Sequence, residues 1–331
     1  MRISSYKILA AVFALAVAVP AFAQEQRAPD GAAAPDANAV NEQTLLQQES
    51  RIEGRIDIPD TRARVLIQPA GRRWDYFHEM TLHQVGAIII LGMIAILGLA
   101  FLIVGRLRIS AGRSGKKIKR FSAFERFSHW LTAGSFVLLG LTGLNITFGK
   151  IVLLPLMGES AFSDLAQFAK YVHNFVSFAF IVGLILIVAL WIKDNIPRQV
   201  DIDWIKQGGG FVKGKHAPAG RFNAGEKAVF WCALAAGAAV SVSGLLLLFP
   251  FYGTNIAAMQ IAQVVHALVA VLFVALILAH IYIGTLGMEG AFEAMGTGEV
   301  DVNWAKEHHD LWYVEKQAQE GLGPASATSI K

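Results

Sequence analysis

Five long apolar runs, near residues 84–104, 127–149, 169–192, 227–250 and 259–286, constrain this chain more than any other feature. A helix needs about 20 apolar residues to cross the hydrocarbon core of a bilayer, and each run is long enough. Together they predict an all-α membrane protein with five spans, the last of them tilted or projecting slightly. Composition agrees, because only 16% of the residues are charged, against about 25% in a soluble domain. The net charge is +4. The cations gather at the ends of the runs, which points to membrane topology and away from nucleic acid.

Orientation follows from charge and from the N-terminus. Arg2 and Lys7, the apolar stretch Ile8 to Val19 and the small-x-small string Ala21-Phe22-Ala23 make residues 1–23 a cleavable secretory signal. Residues 24–83 are then a periplasmic N-terminal segment, polar and weakly ordered over its first half. Residues 84–105 form the first transmembrane helix. Residues 106–126 form a basic loop, in which Arg106, Arg108, Arg113, Lys116, Lys117, Lys119, Arg120 and Arg126 face Glu125 alone. The positive-inside rule places that loop in the cytoplasm. The loop after the third span, with Lys193, Arg198, Lys206, Lys213, Lys215 and Arg221, joins it there. The loops at 150–168 and 251–258 carry few cations and face outside. Residues 127–290 hold the other four spans as a helical bundle, and residues 291–331 are a cytoplasmic tail. The membrane is the bacterial inner membrane.

Four of the nine histidines lie inside spans: His129, His173, His266 and His280. Ionisable groups at membrane depth are costly and mark functional sites. For any one of them alone, a hydrogen bond to a neighbouring helix carbonyl explains the burial as well. Their placement separates the two readings. His266 and His280 are 14 residues apart on one helix, about 40° short of four full turns and roughly 21 Å along the axis. Both therefore leave one helix face, one in each half of the bilayer. His129 begins a span that starts in the cytoplasm and matches the depth of His280. His173 begins a span that starts outside and matches His266. Depth thus gives two pairs, His129 with His280 and His173 with His266.

Two neutral imidazoles fill both axial positions of a haem iron, which closes the metal to substrate and leaves electron transfer as its use. Zinc would need further ligands that a two-histidine pair lacks. The lone cysteine, Cys232, sits in an apolar run, and no C-x-x-C-H string is present for covalent haem. Two haem b groups are the expectation. Gly134, Gly140, Gly143, Gly183 and Gly244 suit either the approach of a flat porphyrin or ordinary helix packing. His78, His83, His216, His308 and His309 are assigned to the surface or the interface. A transporter or assembly anchor whose histidines relay protons is the rival from another class.

From about residue 119 to 314 the chain resembles the cytochrome b (gamma) subunit of membrane-bound formate dehydrogenase. The resemblance rests on Arg126-Phe-Ser-His129-Trp130, Tyr171-Val-His173, Asn195-Ile-Pro197, Asp201-Ile-Asp-Trp204 and Phe222-Asn223-Ala-Gly225-Glu-Lys227. His266 and His280, and Trp304-Ala-Lys-Glu-His308-His309-Asp-Leu-Trp312-Tyr313, complete it. The resemblance implies that the four haem ligands are His129, His173, His266 and His280. It also implies an iron–sulfur (beta) subunit docked outside, fed by a molybdenum- or tungsten-containing catalytic (alpha) subunit. A quinone pocket is implied on the cytoplasmic side, near Asn223, Gly225 and His280. This chain itself then carries no formate-oxidising site. Related cytochromes serve nickel–iron hydrogenases and other quinone-linked oxidoreductases, which is the alternative assignment. Residues 1–118 have no counterpart in the shorter family members, so the first span is an extra helix. It contains no histidine within the membrane and is expected to pack against a partner's anchor or to stabilise the complex.

Overall fold

Helix signals in the sequence set the frame of the computed structural model, which describes Trp74 and residues 76–209, 217–250 and 252–319. The signal sequence, most of the segment 24–83 and His216 lie outside the described residues. The chain divides into two units, Met1–His83 and Gln84–Lys331. In the first, a π-helical turn spans Phe77–Thr81, and His83 Nδ1 lies 2.8 Å from the Glu79 carbonyl oxygen.

The long helices are α1 (Leu82–Val104), α2 (Ala123–Val152), α4 (Glu159–Trp191), α6 (Ala224–Leu248) and α7 (Ile256–Tyr282), with the short α3 (Leu154–Met157) and α5 (Gln199–Lys206) between them. All five long helices have the length and apolarity to cross a membrane. Three begin on caps that the sequence supplies. Ser122 and Glu125 make a capping box at α2, Asn223 and Glu226 make one at α6, and Asn255 accepts from Ala258 N–H at α7. Each cap satisfies backbone donors that a helix leaves open at its start.

The expected loop at 150–168 is mostly helical. It contains the end of α2, α3 and the first turns of α4, with a turn at Leu153 and a break at Gly158, whose φ of +80° a side chain would resist. Glu159, Ser160 and Asp164 are too polar to register as part of an apolar run, so α4 starts ten residues before the 169–192 run does.

Helices α2 and α4 pack together, as do α6 and α7, and α4 meets α6. Glycine permits the closest approaches. A methyl group on Gly183 would collide with Thr132, and one on Gly237 would lie 3.0 Å from Leu184. Phe136, Phe180 and Phe273 fill the bundle centre, with Phe136 and Phe273 centroids 4.6 Å apart. Helix α1 stands apart in character, with Ile88, Leu91, Ile96, Leu102 and Ile103 exposed, as suits contact with lipid or a partner.

One end of the bundle carries a folded cap that the sequence did not announce. The chain from 105 to 120 and the chain after Gly287 are stitched together. Leu107 N–H donates to Gly287 O, and Glu289 N–H donates to Leu107 O, both at 2.8 Å. Strand β1 (Lys117–Lys119) pairs antiparallel with β2 (Glu299–Asp301). Helices α8 (Ala291–Gly296), α9 (Val302–His308) and α10 (Asp310–Gln319) complete the cap. Three-residue strands far apart in sequence have no local signal, because each exists only through its partner. Arg113 bonds Glu289 and Glu293. Asp301 accepts from the Ser114 and Gly115 N–H groups and from the Ser114 hydroxyl. Burial alone would raise the Asp301 pKa, yet these donors and Asn303 N–H hold it below its usual value. The loop containing Arg221 lies at the same end, with its guanidinium on Glu125 and Asp194.

His309 departs from its surface assignment. It is 1% exposed, packed between Trp304 and Trp312, and its Nδ1 lies 2.8 Å from Gly220 O. The polar tail hid this, since its two tryptophans bury their neighbours only once docked. Burial first, and then the Arg120 charge, push the His309 pKa from 6.5 to about 3. A released tail binds a proton below pH 6.5 and the docked tail does not, so docking is strongest above pH 6.5. It should weaken by on the order of 1 kcal/mol per pH unit as the pH falls from there. Limited proteolysis of the tail in detergent should therefore speed up below pH 6.5, and His309→Gln should flatten the change. Faster cleavage at the higher pH would contradict a buried neutral ring.

Candidate functional site

The four membrane histidines meet in two couples. His129 on α2 faces His280 on α7, with ring centroids 6.3 Å apart. His173 on α4 faces His266 on α7, with centroids 6.2 Å apart. The rings are therefore too far apart to bond to each other and too close to ignore each other.

A metal ion between two imidazoles accounts for this spacing. A metal–imidazole bond is about 2.0 Å long, and a ring with sides near 1.35 Å holds its nitrogens about 1.1 Å from its centre. Two such rings on one metal then have centroids about 6 Å apart. Among the described residues, no group of three or more His, Cys, Asp or Glu side chains could hold a bare ion. A two-histidine site must therefore take the remaining ligands from the bound group itself, as a haem macrocycle supplies them.

Local structure orients the rings of the second couple. His173 Nδ1 lies 2.9 Å from Thr142 Oγ1, and His266 Nδ1 lies 3.0 Å from Val240 O and 3.2 Å from Ser243 Oγ. With Nδ1 engaged on both rings, Nε2 is the nitrogen left to bind a metal, an arrangement common to metal-ligating histidines. Two glycines make room for these rings. A methyl on Gly143 would lie 3.4 Å from His173 Cε1, and one on Gly244 would lie 3.1 Å from His266 Cε1. Gly183 and Gly237 serve helix packing instead, while Gly134 has no neighbour within 4 Å of an added methyl. Gly143 and Gly244 thus give clearance to histidine rings, a role distinct from both that the sequence left open, while Gly183 and Gly237 take the packing role.

Several buried polar atoms in the bundle have no hydrogen-bond partner among the described residues. They include His129 Nδ1 and both amide atoms of Asn145, one turn beyond Thr142. A lipid interior offers no partner to such atoms, and leaving them bare costs about 1–3 kcal/mol each. A polar group from outside the chain would satisfy them. The phenylalanine layer was missed at the level of sequence, although its signal was there. Phe273 lies seven residues from each histidine on α7, and Phe136 and Phe180 lie seven after His129 and His173.

At the end near His129 and His280, Asn223 is engaged in its own helix cap. Its Oδ1 accepts from Glu226 N–H at 2.9 Å, and its N–H donates to Glu226 Oε2 at 3.0 Å. The Trp204 indole covers Gly225, where an added methyl would lie 3.2 Å from Cη2. Helix α5, which carries Trp204, is pinned to α6 by the buried Lys227–Asp201 pair at 2.8 Å.

The family model of prokaryotic cytochrome b561 matches residues 120–298. The chain is 32% identical over 202 residues to the formate dehydrogenase cytochrome b556(fdo) subunit of Escherichia coli K12, covering 60% of this chain and 92% of that one. It is 28% identical over 220 residues to the nitrate-inducible cytochrome b556(Fdn) subunit of the same strain, covering 62% and 98%. The Haemophilus influenzae formate dehydrogenase cytochrome b556 subunit is 30% identical over 206 residues, covering 60% and 84%. The chain belongs to the prokaryotic cytochrome b561 family, among the formate dehydrogenase cytochrome b subunits. It is accordingly a multi-pass membrane protein that binds b-type haem. The two imidazole couples fall inside the matched region, and α1 lies outside it.

Gly244→Val should crowd the His266 ring and lower the b-haem absorbance of the purified protein. Gly98→Ala, on the exposed helix α1 with no neighbour within 4 Å, should leave the absorbance unchanged. Equal haem content in both variants would remove Gly244 from the site.

Proposed function

We propose that this chain is the cytochrome b subunit of a formate:quinone oxidoreductase complex and carries electrons through two b haems to quinone. The observation that carries this reading is the pair of imidazole couples, at 6.3 and 6.2 Å, set one above the other on α7. The curated relatives favour formate over hydrogen as the electron source. A b haem held by each couple would supply a one-electron iron centre.

The chain's own residues hold and insulate that route. His173 and His266 present Nε2 because Thr142, Val240 and Ser243 occupy Nδ1. His129 and His280 hold the second centre near the cap. Phe136, Phe180 and Phe273 keep water from the space between the couples. The start of α6 at Asn223 and Gly225 offers helix N–H groups and a positive dipole end to a quinone oxygen. Trp204 would move or stack to admit the ring.

By the positive-inside rule, the basic loop 106–126 at the same end supports a cytoplasmic position for the His129–His280 couple, with His173–His266 toward the periplasm. There an iron–sulfur subunit delivers electrons from a molybdenum- or tungsten-containing catalytic subunit. The proposed organisation is a signal at 1–23, a periplasmic segment at 24–83, the extra helix at 84–105, the dihaem domain at 127–290 and a cytoplasmic tail from 291.

A pyridine haemochrome assay should give two haems per chain. His173→Ala should leave one and abolish electron flow from formate to quinone in the assembled complex, while membrane insertion persists. Two haems retained in that variant would break the assigned pairing.

A further inference from the structure

The electron route leaves a cluster of buried polar groups unused at the His129–His280 end. Arg120, with a side chain 3% exposed, donates from Nη2 to Glu226 Oε1 at 2.9 Å and to the Arg221 carbonyl oxygen at 2.9 Å. Its guanidinium lies 5.1 Å from the Trp304 ring centroid, and the Trp304 and His309 centroids are 5.1 Å apart. His309 Nε2 looks onto Glu226 Oε2 at 3.7 Å. Three nitrogens in this one cluster, His309 Nε2, Arg120 Nε and Trp304 Nε1, are buried without a hydrogen-bond partner among the described residues.

The chemistry of the closest contact is specific. His309 Nδ1 faces the Gly220 carbonyl oxygen, which only accepts, so Nδ1 carries the hydrogen and Nε2 holds a lone pair. Glu226 Oε2 is also an acceptor. Two acceptors turned toward each other inside a protein are one proton short of a hydrogen bond. Burial and Arg120 keep His309 neutral at rest, with a pKa of about 3. Glu226 also stands in the first turn of α6, where the Asn223 N–H donates to the same Oε2. Negative charge arriving beside His280 raises the proton affinity of a nearby carboxylate in a low-dielectric setting.

We propose that the Glu226–His309 pair is the proton-loading site for quinone reduction, taking up one proton as an electron reaches the His129–His280 end and passing it to quinone at the start of α6. This rests on the quinone-reducing function proposed above. Quinone plus two electrons and two protons gives quinol. The electrons come through the histidine-held centre, and the pair is loaded from cytoplasmic water once per electron. The other charged groups around the pair are committed elsewhere. Arg221 holds Glu125 and Asp194, Asp310 accepts from Ala219 N–H, and Lys227 holds Asp201. His308, next to His309 at the end of α9, and Arg120 are the remaining charge-bearing groups facing it.

Redox titration of the haem absorbance tests this in the assembled complex, without quinone, at several pH values. The wild type should show one haem whose midpoint potential falls as pH rises. Glu226→Gln keeps an acceptor for the helix cap, and His309→Gln keeps a polar side chain beside Gly220 while removing the ring nitrogen that faces Glu226. Each should flatten that dependence and slow quinone reduction on the order of 100-fold. Infrared difference spectra of the wild type should show a carboxylic acid band on haem reduction that Glu226→Gln removes. An unchanged pH dependence in both variants overturns the proposal. If either variant fails to assemble, a wild type with no carboxylic acid band overturns it as well. A wild-type complex that keeps the pH-dependent potential but reduces no quinone overturns the proposed function instead, and leaves the proton-loading pair in place.

Discussion

An imidazole inside a bilayer has no water to bond, and the bundle is organised around that fact. Each ring needs a partner for each nitrogen, and the helix interior offers few. For the His173–His266 couple the chain supplies one side of each ring through Thr142, Ser243 and the Val240 carbonyl. The other side faces a ring that is about 6 Å away by centroid, the span of a bis-imidazole metal. Gly244 answers the same need, since an added methyl would lie 3.1 Å from His266 Cε1 and crowd the ring, while Gly143 lets His173 sit against α2. Helix α7 contributes one histidine to each couple, so its straightness and its contact with α6 set the separation of both sites.

The cap ties that bundle to the loops through residues used twice. Glu125 and Glu226 each close a helix capping box, and each also pairs with an arginine from a distant segment, Arg221 and Arg120. A carboxylate at a helix start is already favoured by the dipole, so the arginine adds to a position that local structure has fixed. Loop 105–120, the loop before α6 and the tail thereby converge on the start of α2 and α6. Trp191, Phe222, Trp304 and Trp312 bury the junction. This also explains why basic residues counted as a topogenic signal are not all solvated. Arg120 is inside the cap, stacked near Phe121 and Trp304.

What could be read from sequence was whatever repeats along one helix. Span positions, the shared face of His266 and His280, and the meeting of histidines at equal depth all follow from a rise of about 1.5 Å and a turn of 100° per residue. The phenylalanine layer obeys the same period and could have been found the same way. Contacts between segments far apart in sequence were not readable. The β1–β2 pairing, the burial of His309 and the Trp204 cover over Gly225 depend on chain segments that acquire neighbours only when the cap closes. Glycine was ambiguous for a related reason. The same residue type serves helix packing at Gly183 and ring clearance at Gly244, and only the neighbour tells which.

Under the proposed electron route, the two ends of the bundle differ in a way that would matter for vectorial chemistry. Around His173 and His266 the hydrogen-bond partners are hydroxyls and a backbone carbonyl, none of which changes charge near neutral pH. Around the end that holds His129 and His280 lie Arg120, Glu226 and His309, a charged and incompletely bonded set. An electron entering the first end meets a surrounding that cannot compensate it with a proton. An electron arriving at the second meets one that can. On the proposed function, two centres of similar ligation would be made unequal by their polar neighbours, in the direction that would couple electron passage across the bilayer to proton uptake on one side of it.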